Sequence, residues 1–379
     1  MLATALLPLA LSSRGVVVPT SSRPAATTLS SRAIHRHATE LQNRGFTVIE
    51  DVGLASCVAA AREACMEEFE NLQDVVAQLG IEPNRQNYIF AEIGTRHEHR
   101  FDFRPTKASA WTKLIEAAVT AASPVVEHVH TELDPHPDDS LPVGLMTRHL
   151  APAKPQIDQM GAILSRPGAA AQRFHCDAGD ETIKWARLCP RHRLYNCFIP
   201  LVDIPPDSDG TLFWPGSHLE RFREEGYLAA VRRSARREDG SQGHLEDDVE
   251  AMRQMVAPGC PAGGVILFDY RTLHRGLPNP DRDRAVAYAV LSTGYASDKV
   301  NFDEETSLFE LLSMLPEEGS EEREDAREEI GSMLLDWEEL YEKMEDEAEI
   351  FCEPRERWEK KIEEVRSSQA EEEVRSDTT

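Results

Sequence analysis

The stretch "GGVILFDYRTLHRGLPNPDRDRAVAYAV", residues 263–290, contains two apolar runs of β type separated by a segment rich in Gly, Pro, Asn and Asp. Short strands between turn residues indicate a β-sandwich or barrel, because alternating β and α units would place helical patterns between the strands. Similar runs precede it: "QMGAILSR" at 159–166, "RLYNCFIPLVDI" at 193–204 and "GTLFWPG" at 210–216. The sequence therefore predicts a mainly β fold whose core spans about residues 157–293.

Helical patterns flank this β region. "ATELQNRGFTVIEDV" at 38–52 predicts a short helix, a turn at Gly45 and a strand, and two longer helical patterns follow, the second with a break at Pro124. The charged segment "IGTRHEHRFDFRP" at 93–105 is interpreted as a solvated strand. An alternative is that it faces the substrate, in which case Arg100 would receive a carboxylate or phosphate.

Charge and cysteine usage exclude several classes of protein. The formal net charge is −26, and residues 301–379 carry 29 acidic and 9 basic side chains, which leaves −6 for the first 300 residues. Such a balance offers no electrostatic footprint for nucleic acid or an anionic membrane surface. Seven scattered cysteines without a CxxC spacing argue against a disulfide framework and a structural zinc cluster. No apolar run is long enough to span a membrane.

Three residues are candidate metal ligands. His175 and Asp177 stand one residue apart in "RFHCDAGD", although a His-x-Asp pair alone is weak evidence, as the pair at His136 and Asp138 in "DPHPDDS" shows. Support comes from His274, which directly follows the strand in the opening stretch. Two His and one carboxylate form a facial triad that holds Fe(II) and leaves coordination positions open.

A candidate anchor for an anionic co-substrate follows the second histidine. Arg284 starts the next strand, and a planar guanidinium can bind the distal carboxylate of 2-oxoglutarate in a bidentate pair. Arg282 is the alternative, because alternation along "RDRAVAYAV" places both arginines on one face.

Three blocks carry a resemblance to a known family: "QRFHCD" at 172–177, "LYNCFIPLVDIPPDSDGTLFWPGSH" at 194–218, and the opening stretch. In this order and spacing they resemble the phytanoyl-CoA dioxygenase (PhyH) family of Fe(II)- and 2-oxoglutarate-dependent oxygenases. The resemblance covers roughly residues 40–295 and implies a double-stranded β-helix, or cupin-like jelly roll, with flanking helices.

The resemblance also implies an activity and a set of site residues. It assigns His175, Asp177 and His274 to iron and Arg284 to 2-oxoglutarate, and it adds Met160 and Phe198 to the lining of the co-substrate pocket. The gap from histidine to arginine is one residue shorter than is common in the family, so Arg282 stays open as the alternative. The implied reaction is hydroxylation of a C–H bond in a small organic molecule, which consumes O₂ and 2-oxoglutarate, releases succinate and CO₂ and could use ascorbate as reductant.

Two other classes of function stay open at this point. A non-catalytic protein could bind a ligand or metal on the same scaffold, and a barrel metalloenzyme could use zinc for hydrolysis. Arg284 discriminates against the hydrolase, since hydrolysis needs no anchor for 2-oxoglutarate.

The chain is expected to divide into four parts. Residues 1–38 lack acidic side chains and resemble an organelle targeting peptide for a chloroplast or mitochondrion, with a secretory signal or a disordered cytoplasmic N-terminus as alternatives. The dioxygenase domain follows at 39–297, then an acidic helical extension at 298–366 and a disordered tail at 367–379. An apolar stripe in the extension is expected to dock on the core or on a protein partner; its members are Ile330, Leu334, Trp337, Tyr341 and Met344.

Overall fold

A computed structural model describes residues 26–132, 154–172, 175–178, 192–219, 255–294, 296–298, 306–332 and 334. Several predicted features lie outside these residues. They are most of the targeting segment, the tail at 367–379, and the apolar residues Trp337, Tyr341 and Met344.

Nine strands are described, and they form two sheets. They are β1 (Phe46–Ile49), β2 (Ile93–His97), β3 (Arg100–Phe103), β4 (Gln156–Ser165), β5 (Leu194–Pro200), β6 (Thr211–Phe213), β7 (Val265–Asp269), β8 (His274–Gly276) and β9 (Arg284–Ser292). The large antiparallel sheet has the order β1-β7-β5-β9-β4-β3-β2, and β6 pairs with β8 in a small sheet. Rings from both sheets pack together between them, which confirms the jelly-roll fold with flanking helices.

Alternation along β9 shows how the large sheet separates two cores. The residues of even number, Val286, Tyr288 and Val290, point into the interior between the two sheets. The intervening residues point to the other side, where they pack with the helices; they are Ala285, Ala287, Ala289 and Leu291. Since strands bury alternate side chains on opposite faces, Arg284 shares the interior face with Val286.

The helices cover the outer face of the large sheet. They are α1 (Ser31–Arg44), a short 3₁₀ turn (Ala55–Cys57), α2 (Val58–Gln78), α3 (Ala110–Glu132), α4 (Leu308–Met314) and α5 (Glu321–Ser332). The predicted turn at Gly45 is confirmed: this residue caps α1 at φ 82°, and β1 begins directly after it. None of the described helices has the length and apolarity needed to cross a membrane.

The helical break predicted at Pro124 is wrong, because α3 continues through this residue. A proline inside a helix removes one backbone hydrogen bond. Burial outweighs this loss, since apolar residues on both sides of Pro124 are fully buried, namely Ala122, Val125 and Val126 at 0% exposure. The energy of packing the helix on the sheet therefore decides its length.

Both ends of the described fold extend past the expected domain boundaries. Helix α1 begins at Ser31, its N-cap Ser30 accepts a hydrogen bond from Ala33 N–H, and Ala38 is fully buried, so the boundary expected after residue 38 falls inside a packed helix. At the other end, Leu308 is fully buried in the helix-side core. Ile330 and Leu334 of the predicted stripe pack against this same core, so the acidic extension is partly built into the domain.

Candidate metal centre

His175, Asp177 and His274 lie together at one end of the barrel interior. One ligand atom from each of them lies within 4.8 Å of the others, and no second group of this kind occurs among the residues the structure describes. His175 Nε2 is 3.7 Å from Asp177 Oδ1, and His274 Nε2 is 3.6 Å from Asp177 Oδ2. These separations allow one cation to contact all three side chains.

Backbone pairing holds the two histidines side by side. His175 N–H donates to His274 O at 3.0 Å, and His274 N–H donates to His175 O at 2.8 Å. This reciprocal pair joins the segment before β5 to the start of β8, and the imidazole centroids lie 4.5 Å apart. Residues about a hundred positions apart in sequence thus become cross-strand neighbours.

The environment of His274 keeps its imidazole neutral and oriented. The side chain is buried near the rings of Phe213 and Phe268, at centroid distances of 5.8 and 5.0 Å. Its Nδ1 is 2.9 Å from the carbonyl of Thr272, so Nδ1 carries the proton and Nε2 is free to bind a metal. Burial lowers the pKa of His274 to about 4, although the charge of Asp177 opposes the shift.

Asn196 is a site residue that the sequence interpretation missed. It lies on β5, is 5% exposed, and its Nδ2 donates a 2.6 Å hydrogen bond to Asp177 Oδ2. Its neighbours Leu194 and Phe198 face the interior, so alternation places Asn196 there too. An amide at an inward position of an otherwise apolar strand was the available signal.

The structure separates the two candidate arginines. Arg284 is 5% exposed, its Nη2 donates to Ser165 Oγ at 3.2 Å, and its buried Nη1 makes no hydrogen bond. Nη1 forms a long ion pair, 3.9 Å, with Asp209 Oδ2. Arg282 is 38% exposed and is already bound to the carboxylate of Asp209 and the carbonyl of Asp203. Of the two, Arg284 has the unused donor inside the barrel.

The two further pocket residues lie on opposite faces of the large sheet. Phe198 points into the interior, where its ring meets that of Phe268 edge-on at 4.9 Å. Met160 pairs with Ala289 and packs against the helix-side core. The structure therefore brings Phe198 to the interior but not Met160, whose neighbour Gly161 faces inward opposite Tyr288.

The interpretation of residues 93–105 as a solvated strand is wrong. The segment forms the hairpin β2–β3, which extends the large sheet, and His99 lies in its turn at φ 57°. Arg100 is 2% exposed, and Asp102 is nearly buried. Asp102 accepts hydrogen bonds from Arg96 at 2.7 Å and from the phenol of Tyr288 at 2.8 Å. Hydrogen bonds thus satisfy the carboxylate of Asp102 inside the protein, where water cannot.

A comparison with known protein families identifies the family of this chain. The model of the family described as "Phytanoyl-CoA dioxygenase (PhyH)" matches residues 41–284. The chain belongs to the phytanoyl-CoA dioxygenase family. This PhyH protein is accordingly a non-heme enzyme that depends on iron and 2-oxoglutarate, which confirms the resemblance seen in the sequence blocks.

Several solved structures have a similar fold. One is SnoN, a non-heme α-ketoglutarate-dependent epimerase from nogalamycin biosynthesis. It is 13% identical over 77% of this chain and 93% of SnoN, with a TM-score of 0.40. HygX from Streptomyces hygroscopicus, with nickel and 2-oxoglutarate bound, is 14% identical over 74% of this chain and 93% of HygX, with a TM-score of 0.40. EctD from S. alaskensis, with bound Fe, is 18% identical over 75% of this chain and 84% of EctD, with a TM-score of 0.38. Similarity this low supports no functional detail for the PhyH protein.

The donor set fits the cofactors of the family. Two imidazoles and one carboxylate suit divalent iron, and their number leaves three octahedral positions for other ligands. The unused donor at Arg284 Nη1 suits a carboxylate, which a buried guanidinium binds more strongly than a neutral acceptor. Burial lowers the pKa of Arg284 only to about 10, so the guanidinium stays positive at neutral pH.

Proposed function

We propose that this protein is a hydroxylase that binds Fe(II) through His175, Asp177 and His274 and binds 2-oxoglutarate through Arg284. The overall reaction converts a substrate C–H group, O₂ and 2-oxoglutarate into the C–OH product, succinate and CO₂, with ascorbate as supporting reductant. The observation that carries the proposal is the convergence of the three side chains in a barrel whose interior also contains the unused donor of Arg284.

Bound iron with its co-substrates supplies the oxidation of an unactivated C–H bond, a chemistry that amino-acid side chains lack. The protein supplies position and environment. The carbonyl of Thr272 fixes the tautomer of His274, and Asn196 fixes one oxygen of Asp177. Aromatic side chains, among them Phe198 and Phe268, exclude water from the interior between the sheets.

Asp177 favours hydroxylation over halogenation. A carboxylate at this position occupies a coordination site that a halogenase would need for halide. Its hydrogen bond from Asn196 holds the carboxylate in the interior, which supports the role of a permanent ligand.

Two observations weigh against the alternatives. A hydrolytic metal site has no use for a buried guanidinium with an unused donor, and Arg284 has one. A non-catalytic binding protein would not need an open coordination sphere, yet the three side chains can fill only half of an octahedron.

The test is an anaerobic titration of the purified protein with Fe(II) and 2-oxoglutarate, monitored by the visible charge-transfer band of the chelate. We expect a band in the wild type that disappears in His175→Ala, and formation of succinate when O₂ is admitted. Iron binding without a band would refute the oxygenase and favour the hydrolase. A band without succinate, with or without ascorbate and over a library of small substrates, would favour the binding protein.

A further inference from the structure

The two segments that carry the predicted ligands form an irregular antiparallel ladder. Asn279 N–H donates to Ala169 O at 2.8 Å, and Gln172 N–H donates to Gly276 O at 2.9 Å. The ladder ends at the reciprocal pair between His175 and His274. The distance between the two imidazoles therefore depends on the register of these segments.

One side chain from the opposite sheet binds both segments. Arg100 of β3 is 2% exposed, and its Nη2 donates to Ala170 O and to Leu277 O, each at 3.1 Å. Its Nη1 donates at 3.3 Å to Gln172 Oε1, which also accepts a 3.0 Å hydrogen bond from Gly276 N–H. A single guanidinium thus connects the segment before His175 to the segment after His274.

Gly276 provides the space for this contact. A Cβ atom at this position would overlap Arg100 Nη1 and would lie 2.6 Å from Gln172 Oε1. Because the buried guanidinium of Arg100 and the side-chain amide of Gln172 occupy the space, any side chain at 276 would displace the guanidinium. The glycine and the arginine are therefore complementary in shape.

Arg100 also lies beside the predicted anchor for 2-oxoglutarate. Backbone pairing places Arg100, Ser165 and Arg284 in one row across β3, β4 and β9. Burial, with a smaller contribution from the charge of Arg284, lowers the pKa of Arg100 to about 9, so both guanidinium groups are positive at neutral pH. The hydrogen-bond acceptors of Arg100 are all uncharged, so a dianion bound at Arg284 would relieve the repulsion between the two arginines.

We propose that Arg100 is a positioning residue that locks the register of the two ligand-bearing segments and links it to the anchor at Arg284. This inference rests on the proposed function. A lysine cannot replace the arginine, because one ammonium group cannot direct fixed donors to three acceptors on two segments. Arg100 acts through Gln172 and the two carbonyls and touches none of the predicted metal ligands.

The experiment measures binding of Mn(II), as an O₂-stable stand-in for Fe(II), by electron paramagnetic resonance, and of 2-oxoglutarate to the Mn(II) form by calorimetry. The first variant is Arg100→Lys, which keeps the positive charge but removes the planar guanidinium. The second is Gly276→Ala, which keeps Arg100 but displaces its guanidinium. Arg327→Lys is the matched control, since Arg327 also binds a backbone carbonyl, that of Ala77, on a distant helix. Thermal unfolding of each apo-protein reports its stability separately.

We expect Arg100→Lys and Gly276→Ala to raise the Mn(II) Kd by about 10- to 100-fold, the effect typical of residues that orient metal ligands. Arg327→Lys should bind Mn(II) like the wild type. A lower melting temperature with unchanged Kd values would show that the contacts of Arg100 only stabilise the fold, and this result would overturn the proposal. Failure of both variants to fold would overturn it as well. If the wild type itself binds neither Mn(II) nor 2-oxoglutarate, the proposed function fails instead.

Discussion

Arg284→Gln is the substitution that most directly tests the predicted 2-oxoglutarate anchor. The change removes the buried charge and the unused donor at Nη1 but keeps an unbranched, polar side chain. Asp209 keeps its 3.2 Å ion pair with Arg282, so the substitution leaves no carboxylate without a partner and should not unfold the protein. The loss should therefore appear in co-substrate binding and not in stability.

The magnitude follows from the contacts of Arg284. Nη1 makes no hydrogen bond that 2-oxoglutarate would have to break, and its ion pair with Asp209 is long at 3.9 Å, so the distal carboxylate can gain a charge-assisted hydrogen bond there. Truncating one partner of such a buried charge pair costs about 2–5 kcal/mol. At about 1.4 kcal/mol for each factor of ten, the Kd of 2-oxoglutarate should rise from about 30-fold to a few thousand-fold.

The assay is anaerobic titration of the Fe(II) protein with 2-oxoglutarate and, in parallel, with pyruvate, which lacks the distal carboxylate. We expect Arg284→Gln to lose most of the preference for 2-oxoglutarate, because pyruvate never used the anchor. Arg282→Gln should keep the preference. An unchanged Kd in Arg284→Gln, or a loss in Arg282→Gln alone, would refute the assignment and transfer it to Arg282.

Asn196→Ala should raise the Mn(II) Kd by about 10- to 100-fold, because it frees the carboxylate of Asp177, and an unchanged Kd by electron paramagnetic resonance would contradict this. Asp269→Asn should cost about 3–5 kcal/mol in urea unfolding at pH 7, since it breaks the ion pair between the buried carboxylate of Asp269 and Arg271. Burial alone would raise the pKa of Asp269, but Arg271 outweighs burial and holds it well below its usual range. The stabilisation is therefore complete above the unfolded pKa of about 4 and is lost as pH falls through the folded pKa, and equal acid sensitivity of the variant would contradict this. Gly161→Ala should lower stability by about 1–3 kcal/mol, because its Cβ would lie 2.6 Å from a buried phenol oxygen, and a melting temperature like that of the wild type would disprove this clash.

Local patterns in the sequence were sufficient for the fold class and for the metal-ligand prediction. Short strands with turn residues between them predict a β-barrel or sandwich, and alternation along "RDRAVAYAV" matches the two faces of β9 in the structure. His175, Asp177 and His274 were predicted as ligands from residue type and block order, and the structure brings the three side chains together. Each of these patterns lies within a short stretch of sequence or repeats along one strand.

The predicted pocket residues show what sequence patterns do not determine. Alternation shows that Arg282 and Arg284 share a face, but not which of them is buried, because Asp209 and Asp203 come from a distant loop. Met160 was placed by its distance from His175 in sequence. In the structure Met160 shares the helix side of β4 with Ala162 and Leu164, whereas Ile163 faces the interior.

What the sequence by itself determined is the set of chemical groups: two imidazoles, a carboxylate and an arginine in a β-rich chain. Only the tertiary structure decided that Asn196 binds Asp177, that Arg100 is buried and binds the segments next to His175 and His274, and that Arg284 has an unused donor. Contacts such as Arg100 to Leu277 join positions 177 residues apart. Such contacts form only when the two sheets close around a shared interior. Residue spacing and periodicity along the chain therefore do not predict them.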